Sequence, residues 1–190
     1  MTPELFGRID LTKFQTGLAL ALNFWILPHG PFQNRHGLYY VNETKDSNKK
    51  SVLLPFSYNT EQTFTIEFGD QYIRFHTNGG TLLQTPKAFT GITNANPGVF
   101  TLNAHGYTNG QWVFIADVEG LTEMNGRFVK VNNVTANTFT VADLAGEDID
   151  TTEYGVYTAG GTAARVYGIV STYLEAGLEA LHFKQSEEVL

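Results

Sequence analysis

The stretch Thr63-Phe64-Thr65-Ile66-Glu67-Phe68-Gly69-Asp70-Gln71-Tyr72-Ile73-Arg74-Phe75-His76 decides how the rest of the chain is read. Phe64, Ile66 and Phe68 alternate with Thr65 and Glu67, a period of two that gives one face to a core and the other to water. Gly69-Asp70 then turns, and Ile73 and Phe75 alternate around Arg74, which predicts the returning arm of a hairpin. Asn78-Gly79-Gly80 follows with residues that tolerate positive φ. Upstream, Ser51 to Tyr58 and the aromatic run Gly37 to Val41 read as further strands, separated by the polar turn Asn42 to Lys50. Ahead of this β-meander, Asp10 is placed to cap a helix. Leu11, Phe14, Leu18, Ala21, Leu22 and Trp25 recur there at three- and four-residue steps, and Pro28 ends the pattern.

Downstream the texture changes. From about Pro86 to Arg165 the chain is rich in Gly, Asn and Thr, with Asn109-Gly110 and Asn125-Gly126 as the strongest hairpin signals. Strand-like pieces lie at Val99 to Asn103, Gln111 to Val118, Arg127 to Val131, Thr138 to Val141, Tyr154 to Tyr157 and Thr162 to Tyr167, which predicts a small six-stranded β-barrel. Beyond Tyr167, Leu174, Leu178 and Leu181 return at helical spacing and predict a short C-terminal helix. The organisation expected is therefore mainly β. A platform formed by residues 1–86 and 166–190 is interrupted by an inserted barrel over 87–165, an arrangement that a module with neighbouring ends permits. Val189-Leu190, directly after a charged pair, reads as a chain cut within an element.

Composition bounds the function. The 190 residues include no cysteine, which removes disulfide scaffolds and thiol chemistry. Charged residues make up only 16% and the formal net charge is -7. That balance opposes tight, sequence-independent binding to nucleic acid, which depends on cations displacing counterions from phosphates. The apolar stretch Leu18 to Leu27 is half the length of a membrane span and lacks a basic leader, so neither an anchor nor a signal peptide is expected.

No pattern of catalytic residues stands out. The five histidines, His29, His36, His76, His105 and His182, lack metal-site spacing and read as turn or surface residues. His105, just before Gly106, is placed to bond backbone carbonyls and fix a loop. Glu147, Asp148 and Asp150 form the densest acidic cluster but without the spacing of a calcium loop, so a solvated loop is expected. No serine sits in a nucleophile elbow, and Gly79-Gly80 and Gly160-Gly161 read as turns. No catalytic residue, cofactor or metal ligand is therefore assigned. The candidate interaction surface is aromatic, namely Trp112, Tyr154 and Tyr157, with Tyr39 and Tyr40 as further candidates, although most of these side chains are expected in the core, since a small β-barrel needs large side chains to fill it. Lys45, Lys49 and Lys50 mark a solvated loop, with docking to an acidic neighbour as the sharper alternative.

The phrases Leu5-Phe6-Gly7-Arg8-Ile9-Asp10-Leu11, Thr16-Gly17-Leu18, Asn23-Phe24 and Leu27-Pro28-His29-Gly30 resemble the opening of podovirus tail nozzle proteins, also called tail tubular protein B. Pro55-Phe56, Thr60-Glu61-Gln62, Glu67-Phe68-Gly69-Asp70 and Tyr72-Ile73-Arg74-Phe75 continue the likeness. It resumes at Tyr173, Glu175-Ala176 and Leu178, and then at Phe183-Lys184-Gln185-Ser186 with Glu188-Val189-Leu190. Between these blocks, Gly91-Ile92-Thr93-Asn94-Ala95-Asn96-Pro97, His105-Gly106-Tyr107-Thr108-Asn109-Gly110, Gly120 to Arg127 and Tyr157 to Thr162 resemble a barrel module of phage structural proteins. That module is similar to the first catalytic-cysteine half-domain of ubiquitin-activating enzymes. The catalytic cysteine of those enzymes lies outside that half-domain, so the likeness does not imply activating-enzyme chemistry.

The resemblance implies a non-enzymatic virion component, part of the tail nozzle of a short-tailed phage or prophage. Nozzle proteins assemble as rings, so a homo-oligomer is implied, six-fold in the full protein, with other tail proteins such as the adaptor ring as partners and no membrane. It would be located in the virion tail, and in the bacterial host cytoplasm during assembly. Genomic DNA would pass without tight binding, and an acidic wall suits that role because it repels phosphates. Nozzle proteins are several times longer than this chain, so the platform portion, a prophage remnant or a free-standing platform is implied. The alternative is a stand-alone β-rich module that recognises a host glycan or another tail protein through the barrel. A third class, an enzyme degrading cell-wall or capsule polymer, would show turnover in a reducing-sugar assay.

Overall fold

The structure, a computed structural model, describes residues 9–12, 22–26, 32–59 and 62–185. The chain divides into two compact units, Met1–Tyr40 and Val41–Leu190.

In the first unit, β1 (Phe24–Ile26) pairs antiparallel with β2 (Phe32–Asn34). Phe24 and Phe32 meet edge to face at 5.2 Å. This corrects the expectation of a helix running through Trp25. Asn23 takes φ 61°, a left-handed conformation that no α-helix interior accommodates, and the chain is extended from there. The upstream part of that helix, over residues 13–21, and the Pro28 to Pro31 break lie outside the described residues. Residues 37–41 join no sheet, contrary to expectation, and Leu38 and Tyr39 are 87% and 81% exposed. Aromatic content favours a strand only where a neighbouring strand gives the side chains a surface to pack on.

The second unit holds two sheets. In the first, β3 (Val52–Ser57), β4 (Thr63–Gly69) and β5 (Tyr72–Thr77) form the expected meander, and the order is β14-β5-β4-β3, where β14 is Gly168–Val170. β6 (Gly80–Thr81) also pairs with β5, across the predicted Asn78-Gly79 turn, whose residues take φ 51° and 73°. Pro55 sits in the edge strand β3, where a missing N–H is tolerated.

The second sheet has the order β7-β13-β10-β11-β12-β9-β8. Its strands are β7 (Lys87–Ala88), β8 (Gly91–Ile92), β9 (Val99–Thr101), β10 (Trp112–Glu119), β11 (Arg127–Asn132), β12 (Thr138–Ala142) and β13 (Ala159–Arg165). β7 and β8 lie at opposite ends of this order, yet only Phe89 and Thr90 separate them. The Phe89 N–H donates to Gly161 O at 3.0 Å, and the Thr90 N–H donates to Thr101 O at 2.9 Å. The sheet therefore closes on itself, and residues 87–92 serve both edges. The interior is filled by Phe100, Leu102, Val113, Ile115, Val129, Val131 and Val141, each 0% exposed.

Tyr154 to Tyr157 is not a barrel strand, which corrects the sequence reading. The Asn94 amide donates to the carbonyls of Thr151, Tyr154 and Gly155 at 2.9, 2.9 and 3.2 Å, so a side chain takes the backbone bonds that a ladder needs. The closing segment is 87–92 instead. The two ends of the barrel run side by side. Leu83 bridges Val166, the Gln84 N–H donates to Arg165 O at 2.8 Å, and the Tyr167 N–H donates to Leu82 O at 2.8 Å. The C-terminal helical piece is a tight 3-10 helix over Glu175–Ala180 that buries Leu178.

Candidate functional site

The densest buried polar cluster lies where the meander meets the barrel. Glu67 on β4 and Arg74 on β5 stand directly opposite each other in the hairpin register. Glu67 is 1% exposed, which overturns its expected place on a wet face. Its face of the sheet is covered by Tyr72, by His76 and, through Arg74, by Trp112 at the start of the barrel strand β10.

Each atom of the carboxylate has a partner. Tyr72 Oη donates to Glu67 Oε1 at 2.5 Å, and His76 Nε2 lies 3.0 Å from Oε2. On its other side His76 Nδ1 lies 3.2 Å from Thr81 Oγ1, which accepts from Asn42 Nδ2 at 3.0 Å. The chain of donors is therefore consistent in one direction. The Asn42 amide donates to the Thr81 hydroxyl, the hydroxyl to His76 Nδ1, and Nε2–H to the carboxylate. Burial pushes the Glu67 carboxyl up, but the bonds from His76 and Tyr72 and the charge of Arg74 outweigh it and hold the group below its ordinary value. Burial, and then the bond to Glu67, raise the Tyr72 phenol. Burial lowers Arg74, against the pull of Glu67.

Arg74 lies over the Trp112 ring at 4.1 Å and near the Tyr72 ring at 5.6 Å. Trp112 is 3% exposed, with Lys130 Nζ a further 6.0 Å from its ring. The indole is thus a packing surface for a buried cation and is not open for stacking on a ligand. Tyr154 and Tyr157 are half-buried against the barrel core. The Tyr154 hydroxyl accepts from Arg127 Nη1 at 3.1 Å, and that of Tyr157 donates to Gly160 O at 3.0 Å. The three aromatic candidates do not form one exposed patch.

Two histidines expected in turns or at the surface lie inside the structure, His76 half-buried and His105 fully buried. His76 belongs to the Glu67 network. His105 is 2% exposed, and its Nδ1 accepts the Tyr107 N–H at 3.0 Å instead of donating to carbonyls. Two of the three loop lysines find acidic partners within the chain, and Lys45 lies over the Tyr72 ring at 5.1 Å. Lys49 pairs with Asp70 at 2.5 Å and Lys50 with Glu179 at 2.7 Å. Asp150 accepts from Asn96 and Thr152, and no group of three metal-ligating side chains occurs among the described residues.

Glu67 and Arg74 escaped the sequence reading because a period-two pattern assigns polar residues to water. The available signal was their pairing in register, one acid and one base each three residues from the Asp70-Gln71 turn.

The fold and this junction define a small closed β-barrel fastened to a second sheet through a buried Glu-Tyr-His-Arg cluster. Residues 95–167 match the family described as "Ubiquitin-activating enzyme E1 FCCH domain". The matched stretch covers the barrel from just after β8 and stops short of β14. The chain is also similar to ubiquitin-like modifier-activating enzyme 1 of Oryctolagus cuniculus, 30% identical over 104 residues, which is 53% of this chain and 9% of that protein. Ubiquitin-like modifier-activating enzyme 6 of Homo sapiens is 28% identical over 115 residues, 58% of this chain and 10% of that protein. The chain thus spans about a tenth of the length of these relatives. The family match falls on the barrel.

Proposed function

We propose that the chain is a non-enzymatic structural component of a short-tailed phage or prophage tail, the platform portion of a nozzle carrying an FCCH-like barrel. It acts in a homo-oligomeric ring, six-fold by resemblance, in contact with other tail proteins such as the adaptor ring, and passes DNA without holding it. Its place is the virion tail, after assembly in the bacterial cytoplasm. Residues 1–86 and 166–190 form the platform, and 87–165 are the insertion.

One observation carries this reading: parts of the two separated sequence blocks that resemble nozzle proteins meet in space. Asp70 Oδ1 accepts the Glu175 N–H at 3.1 Å, Glu175 Oε1 accepts the Lys50 N–H at 2.9 Å, and the Gln185 amide bonds Ser57 on both sides. Glu67, Asp70 and Arg74, which belong to the resembling phrases, all have partners in packing and fastening, as residues of an architectural motif should. Mass spectrometry of DNA-filled particles purified from the phage or prophage whose genome encodes the chain tests the reading. Peptides of this chain are expected at the copy number of a tail ring. Their absence from particles that contain the remaining tail proteins overturns it.

A further inference from the structure

Arg74 is 4% exposed, and its Nη1 is shielded from solvent with no hydrogen-bond partner among the described residues. The rings of Trp112 and Tyr72 hold the cation without accepting its protons in hydrogen bonds. Glu67, the nearest acid in register, bonds Tyr72 and His76 and acts on Arg74 through its charge. A buried guanidinium donor left in this state is costly, and an oxyanion that offers two oxygens to the planar fork is the group that satisfies it best.

Arg74 also lines a cleft of about 530 Å³ between the meander and the barrel. Its wall carries Lys45 and Arg165 as well, together with Gln84 and Gln111, and among the described residues includes no Asp or Glu. Arg165 Nε and Nη1 donate to the side-chain oxygens of Gln84 and Gln111 at 2.9 and 3.4 Å, which leaves both amide nitrogens as donors. Burial, and then the charge of Arg74, hold the Lys45 ammonium below its ordinary value, so these two cations are close enough to repel each other. In a chain of net charge -7, three cations lining one wall, with Glu67 behind Arg74 as the acid in register, form a local concentration of positive charge.

We propose that this cleft binds the oxyanion of a ligand, a carboxylate or phosphate group, recognised by the guanidiniums of Arg74 and Arg165 and by the amides of Gln84 and Gln111. This site is independent of the tail assignment. It does not use the aromatic patch that the sequence offered.

The test is NMR titration of the whole chain at constant ionic strength with sodium glucuronate, inorganic phosphate or glucose, following the Trp112 indole N–H and the backbone amides of residues 108–112. Saturable shifts are expected with an oxyanion and none with glucose. Saturation by glucuronate alone identifies a sugar acid, and saturation by phosphate alone a phosphorylated ligand. Arg165→Gln is expected to weaken binding at least tenfold, and Arg74→Lys, which keeps the charge and loses the planar fork, to do the same. Arg74 is buried, so if Arg74→Lys does not fold the half-buried Arg165→Gln decides. No saturation with either oxyanion, or affinity within twofold of the parent in a folded Arg165→Gln, overturns the proposal.

Discussion

Glu67 shows how one buried carboxylate stabilises the junction. Its pKa in the folded chain lies below the ordinary value of 4.5, so folding favours the ionised form. That contribution is complete above the unfolded value and is lost as pH falls through the lower folded one. Glu67→Gln keeps the shape but strands Arg74 and mismatches His76 and Tyr72, and a loss of about 3 kcal/mol at neutral pH is expected. Urea denaturation at a series of pH values should show the parent losing stability below about pH 4.5 and a flatter limb in the variant. Gly120 illustrates a different constraint. It takes φ +84°, and a Cβ there would strike the carbonyl oxygen of Val156, while a Cβ on Gly155 would strike that of Gly120. Two backbones cross with room for hydrogen only. Gly120→Ala is therefore expected to cost roughly 2 kcal/mol or more, read as a lowered urea midpoint with an unchanged slope.

At the scale of elements, turns were more legible than strands. Asn78-Gly79, Gly110 and Gly126 all turn where the dipeptides predict, with Gly110 and Gly126 at φ 80° and 77°. Asn125 adds a role that the dipeptide does not announce, since its side chain accepts the Val118 N–H and donates to Val118 O, both at 2.8 Å. Residues 154–157 were misread because Tyr, Val and Tyr fit a strand locally, whereas the loop is held from outside by Asn94. Asn94→Ala should remove up to three bonds, cost about 2 kcal/mol, and speed hydrogen exchange over residues 151–158 while β10 and β11 stay protected. Unchanged exchange in the loop would show that its other contacts suffice, among them the Gly155 N–H donated to Glu123 Oε1 at 3.0 Å and the Thr158 N–H donated to Glu119 O at 3.0 Å.

Across the described residues of the molecule, the barrel has the complete core and the meander has only part of one. Sixteen buried residues make up the barrel cluster, whereas Phe56, Phe64, Phe75 and Tyr167 border an apolar groove of about 340 Å³ on the other sheet. Trp112 and Arg74 join the two sheets, so Trp112→Ala is expected to cost about 4 kcal/mol and to raise exchange in β4 and β5 more than in β11 and β12. The reverse order would mean that the junction supports the barrel and not the meander. The sequence by itself determined the local features: the period-two strands, the Asn-Gly turns, the mainly β class and the stretch that forms the barrel. These rest on interactions a few residues apart, which propensity and pattern report. Only the tertiary structure decided which face of β4 is dry, that residues 87–92 close the barrel, and that Glu67, Arg74 and Trp112 meet. Each of those depends on which surface is brought against which, and a polar residue in a strand carries the same local pattern whether water or another sheet lies over it.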